Sequence, residues 1–146
     1  MLEINVDTSQ LEHGLGQLLK NATNTRPMMR AIATEMISLT EDNFESESWG
    51  GEKWKQSKRA ANGGKTLQLT GQLATSISTK VGNDFAQIGS NKKYAAIHHL
   101  GGQAGSGRKV TIPARPYLPI NGNSQLQNGA EKKLIDIAIE SLKAGL

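Results

Sequence analysis

The residues best suited to chemistry in this chain lie in one stretch, YAAIHHLGGQAGSGRKVTIPARPYLP, residues 94–119. It holds the adjacent pair His98 and His99, a glycine-rich run, the basic pair Arg108 and Lys109, and three prolines placed around Arg115. Neighbouring histidines on a helix point about 100° apart and cannot share a metal from one face. A helical zinc pair stands four residues apart, and the only other histidine is His13. The pair therefore reads as one partly buried histidine with a hydrogen-bond partner and one at the surface. GQAGSGRK has the glycine spacing of a phosphate loop between Gly102 and Gly107. It puts Arg108 in place of the lysine, however, and Lys109 in place of the hydroxyl that would hold Mg²⁺. The following VTIP cannot open the helix that such a loop needs. Residues 102–109 read instead as a flexible loop able to settle on a charged partner.

Nucleophilic catalysis needs a serine or threonine beside a base that a third group orients. The chain has no G-x-S-x-G elbow and no cysteine, so thiolate chemistry and disulfides are excluded as well. The acids Glu41, Asp42, Glu45 and Glu47 gather at a helix end, where solvated carboxylates are routine. The expectation is a protein that is no enzyme, with no catalytic residue, no metal and no cofactor. IPARPYLP (112–119) is a different kind of segment. Pro113, Pro116 and Pro119 stiffen the backbone and extend the residue before each of them. Two readings stay open for it. It is an edge that locks the last helix in place, or a stiff strip that presents Arg115, with its planar fork, and Tyr117 to another subunit.

The elements around this stretch predict one α+β domain over residues 1–146, in which a small antiparallel sheet packs against a long central helix and a C-terminal helix. LEINV (2–6) alternates like a half-buried strand. TSQLEHGLGQLLKNA (8–22) places Leu11, Leu15, Leu18 and Leu19 on one helical face, with Thr8 or Ser9 as cap. The central helix runs from about Pro27 to Phe44, capped by Thr25. A long arm, about 45–66, has no periodicity yet carries both tryptophans, Trp49 and Trp54. It reads as a flexible arm, part of which docks through these tryptophans on its own subunit or on a neighbour's, and whose removal leaves the fold intact. Thr70 caps a short turn, SISTKV and FAQIGS form a hairpin around GND, residues 93–101 form a short helix, and the last helix runs from about Ser124 to Lys143. Only 36% of residues are apolar and 4% aromatic, a lean core that favours burial against further copies. No apolar run is long enough to span a bilayer and no secretory leader is evident, so the chain reads as soluble and made in the cytoplasm.

Three separated motifs then carry a resemblance. YAAIHHLGG followed by IPARPYLP, with LQLTGQLATSIS upstream and a long helix ending near NF before Trp54, resembles the phage virion morphogenesis family, the tail completion proteins of Mu-type and related contractile-tailed phages. The likeness spans roughly residues 27–142; the first 20 residues and Pro119 depart from it. It implies a structural protein of the virion tail or neck, acting in tail completion and head–tail joining. The implied partners are further copies of itself in a ring, with a hexamer as the natural symmetry, together with tail tube or tail terminator and head connector proteins. DNA would pass through the lumen, and no membrane is involved. The residues expected at the subunit interface are Trp49, Trp54, Lys55, Arg59, Arg108, Arg115 and Tyr117. The competing reading is a small nucleic-acid-binding module using Lys53, Lys55, Lys58, Arg59, Arg108 and Lys109. A formal net charge of only +4 and few aromatics argue against it.

Overall fold

The computed structural model describes residues 3, 5, 7, 9–57, 61–64, 66–67 and 71–146. The expected strand at 2–6, the Thr8 and Thr70 caps, Lys58 and Arg59 lie wholly or largely outside these. The first two helices described are α1 (Ser9–Thr23) and α2 (Arg26–Ser46). At the start of α1 it is Asp7 that accepts the Ser9 N–H, at 2.9 Å, satisfying one of the donors a helix leaves free in its first turn. α2 confirms the central helix and the early position of Pro27. Thr25 precedes it but makes no capping bond. Its hydroxyl donates instead to the carbonyl of Asn83, while Arg26 reaches Asn83 Oδ1 at 3.1 Å and the Val81 carbonyl at 3.4 Å. The helix start is thereby tied to a distant hairpin turn, and tertiary contact has displaced the local cap.

That hairpin pairs β3 (Ile77–Val81) with β4 (Ala86–Ser90) in antiparallel register, Ile77 opposite Ser90 and Val81 opposite Ala86. A short helix, α3 (Gln72–Thr75), leads into it. Two smaller hairpins occupy segments expected to be irregular. In the arm, β1 (Ser48–Trp49) pairs with β2 (Glu52–Lys53) across Gly50 and Gly51. Both turn glycines have positive φ, 59° and 97°, which side chains resist and glycine does not. In the glycine-rich run, β5 (Gly102–Ala104) pairs with β6 (Val110–Ile112) around a 3₁₀ turn at Ser106–Arg108. The architecture is α+β as expected, but the sheet is three separate two-stranded ribbons. Each closes locally through its own turn, and the described strands offer no longer-range pairing.

The remaining helices are α4 (Ala95–Leu100) and α5 (Ala130–Lys143). α5 begins six residues later than the apolar spacing suggested. Asn121 is the reason: its Oδ1 accepts the N–H groups of Asn123 and Gln125 at 2.9 and 3.0 Å. Such a side-chain turn competes directly with helix formation, and Ser124 sits at φ 59°. Leu126 therefore bridges back to Ile120 rather than joining the helix face. α2 is the scaffold of the whole, packing on α5 and on both strands of the β3–β4 hairpin. Its buried stripe is Ala33, Met36, Leu39, Thr40, Asn43 and Phe44. Thr40 is tolerated there because its hydroxyl bonds the Met36 carbonyl one turn back, at 2.8 Å.

Candidate assembly surface

Residues 113–119 do not form an exposed strip. They run through the middle of the molecule as a spine on which four other elements hang. Proline leaves this segment with few backbone donors and several free carbonyls, and side chains from 62 to 74 residues away fill those acceptors. Trp54 Nε1 donates to the Pro116 carbonyl at 2.7 Å, and Trp49 Nε1 to the Leu118 carbonyl at 2.9 Å. Asn43 Nδ2 donates to the Tyr117 carbonyl at 2.9 Å and to Gln127 Oε1 at 2.7 Å, while its Oδ1 accepts Gly50 N–H at 3.2 Å. One buried amide thus joins α2, the β1–β2 turn, the spine and the segment before α5. Nothing in the sequence around Asn43 signalled this role.

Tyr117 is only 2% exposed. Its ring stacks on Phe44 with centroids 5.1 Å apart, Phe44 meets Trp54 edge-on at 5.8 Å, and the Tyr117 hydroxyl donates to the Ala95 carbonyl at 2.6 Å. Burial pushes its pKa up to about 12, so the hydroxyl remains a donor throughout the physiological range. Leu73 and Ala95 complete this core cluster. Gly101 is required beside it. At φ 75° it passes so close to the spine that a Cβ would lie 2.8 Å from the Ala114 nitrogen. It ends α4 as expected, though in an extended conformation (ψ 173°) and not in the left-handed helical one.

His99 shows how the histidine pair is used. Its Nδ1 accepts the backbone N–H groups of Tyr117 and Leu118 at 3.2 and 3.4 Å. Nε2 must then carry the proton, and it donates to the Ile120 carbonyl at 2.7 Å. The neutral ring fastens α4 to the spine, and neither nitrogen is left for a metal or a substrate. Among the described residues no group of three His, Asp or Glu is placed to hold a metal ion. His98 is half-buried, not at the surface as expected. Its Nδ1 is enclosed without a hydrogen-bond partner among the described residues, and its ring meets Tyr94 edge-on at 6.0 Å.

Burial lowers the pKa of both histidines; the charge of Arg115 adds to this at His98, and the Ile120 bond opposes it at His99. In the unfolded chain both titrate near ~6.5. Between the depressed folded values and that point the unfolded state binds more protons, so stability falls as pH falls. The urea midpoint is therefore expected to be constant above about pH 7 and to drop when the pH is taken from 7.5 to 5.5. A His98→Gln/His99→Gln variant should lose this slope. A wild-type midpoint that holds or rises at pH 5.5 would refute the neutral-ring assignment.

The seven residues expected at a subunit interface separate accordingly. Trp54, Arg115 and Tyr117 are buried in this chain, and Trp49 is half-buried against Leu118. Arg115 offers its fork to a carbonyl, Nε to Lys55 O at 2.7 Å, and its own N–H to the His98 carbonyl at 2.9 Å. Within the described residues the bonds of these side chains are to this chain itself, and Trp54 belongs to its core. Lys55 is exposed, as is Arg108 at the tip of the β5–β6 hairpin. Arg59 lies outside the described residues. Open apolar surface lies on two helices. Leu11, Leu15 and Leu19 of α1, and Ile135 and Ile139 of α5, face solvent.

Comparison with known proteins points one way. The phage virion morphogenesis family matches residues 6–143. The chain is 41% identical to Mu-like prophage FluMu G protein 2 of Haemophilus influenzae over 119 residues, which is 81% of this chain and 83% of that one. It is 34% identical over 147 residues, 91% of this chain and 94% of the other, to a protein G of Escherichia phage Mu whose name ties it to capsid assembly. Mu-like prophage FluMu G protein 1 of Haemophilus influenzae is 28% identical over 152 residues, covering 95% and 99%. No solved structure matches.

Proposed function

Because the chain belongs to the phage virion morphogenesis family, we propose that it is a non-catalytic subunit that completes the tail and joins it to the filled head. It works as a closed ring of identical copies, a hexamer matching the sixfold tail. Its neighbours are the tail tube or terminator on one side and the head connector on the other. The observation that carries this reading is the division of labour between inside and outside. The side chains that could do chemistry, His99, Arg115, Tyr117 and Asn43, are spent on this chain's own backbone, while whole helix faces of leucine and isoleucine are left in water. Such a surface suits contact between proteins. Arg108 and Lys109, exposed at a hairpin tip, suit an acidic neighbour or the DNA that passes through a ring. Among the described residues no helix is long and apolar enough to cross a membrane. Electron microscopy of particles made without this protein tests the assignment, since a tail-completion protein and a capsid-assembly protein leave different debris.

A further inference from the structure

α1 is turned the opposite way from a helix that serves only its own chain. Polar residues tie it to the end of α5 and the residues that follow: Asn21 Nδ2 donates to the carbonyls of Leu142 and Ala144, both at 2.8 Å, and Gln17 lies against Gly145. The leucines point away, with Leu11, Leu15 and Leu19 62%, 56% and 66% exposed. No residue of α1 is buried. Their spacing of four makes a ridge about 12 Å long. Leu11, Leu15 and Leu18, with Gly14 and Leu146, line an open groove of about 600 Å³. A second apolar strip lies on α5, where Ile135 and Ile139 are 50% and 42% exposed.

We propose that α1 of one copy packs antiparallel on α5 of the next, with Ile135 and Ile139 seated in the leucine groove. This deepens the ring reading and rests on it. A head-to-tail contact that closes into a ring needs two different, complementary patches on one molecule, and this chain carries an apolar groove at α1 and an apolar strip on α5. The two helices match in length, 15 and 14 residues. Their charges select the direction. α1 has Glu12 in its first turn and Lys20 in its last; α5 has Glu131 in its first and Lys143 in its last. Antiparallel packing sets Glu12, at the flank of the leucine face, towards Lys143, whereas parallel packing sets it against Glu131; Lys20 lies on the far side of α1 and takes no part. All four are exposed.

The test uses the full-length protein with Leu15→Glu or Ile139→Glu, followed by sedimentation velocity across concentrations. Wild type should associate. Either variant alone should weaken association by at least about 100-fold, because a carboxylate would have to enter an apolar contact. An equimolar mixture of the two should form one-to-one pairs. The Leu15→Glu copy keeps its α5 strip and the Ile139→Glu copy keeps its groove, so one sound interface remains. Pair formation by two chains that are each monomeric also shows that both are folded. A mixture that stays monomeric would overturn the proposal, and so would loss of association in Leu15→Glu alone with Ile139→Glu unaffected, which points to a symmetric α1–α1 contact. Variants that associate like wild type would overturn the contact but leave the ring. A wild type that is monomeric at every concentration would remove both.

Discussion

Replacing Tyr117 by alanine is expected to lower the unfolding free energy by about 3–5 kcal/mol, the cost of emptying a large aromatic site in a packed core. Three losses combine. The ring stacked on Phe44 and edged by His99 disappears, the Ala95 carbonyl loses its 2.6 Å donor, and the spine loses the side chain that fixes its path. In a domain of this size each kcal/mol shifts the midpoint by about 2–4 °C, so Tm should fall by about 6–20 °C. Tyr117→Phe separates the terms. It keeps the packing and removes only the hydroxyl's bond to the Ala95 carbonyl, so it should cost about 0.5–1.5 kcal/mol. Thermal and urea unfolding of the two variants decide the point. A Tyr117→Ala loss below about 1 kcal/mol would mean that the spine is held by other groups.

Asn43→Ala should be nearly as damaging, at about 2–4 kcal/mol, because it strands the Gly50 N–H, the Tyr117 carbonyl and the Gln127 side chain in one buried place. Asn43→Asp is the sharper variant. It has the same shape and can still accept from Gly50, but at neutral pH it cannot donate to Tyr117 and it buries a charge. It is expected to rescue nothing. Since Trp49 and Trp54 both donate to carbonyls of the same spine, tryptophan emission should shift to the red in either Asn43 variant. An Asn43→Asp protein as stable as wild type, with unshifted emission, would contradict the hub assignment.

Elements with a strong period were legible in the sequence and buried polar bonding was not. α2, the β3–β4 hairpin and α4 follow from apolar spacing, turn residues and Gly101. The stiffness of residues 113–119 was legible too, since proline alone imposes it. Which way those residues face was not, because an extended segment with three prolines has no face that periodicity can assign. Its partners Asn43, Trp49 and Trp54 come from another part of the chain. The same limit explains α1. Its leucines were placed on one helical face, but the pattern fixes only that the face is apolar, never which molecule covers it. The late start of α5 had a local cause in the Asn121 turn, masked by Leu126 falling in helical phase. Arg115 and Tyr117 were picked out as residues of consequence, and they are, though by holding the interior together.

The most direct test of the central claim is electron microscopy of lysates from a phage lacking this protein. Filled, full-sized heads lying beside separate tails, with few joined particles, is the predicted result. Complementation with wild type should restore joining, and the Leu15→Glu form should not. Missing or aberrant heads would contradict the tail-completion account and favour a role in building the capsid. Normal joined particles in the absence of the protein would contradict both.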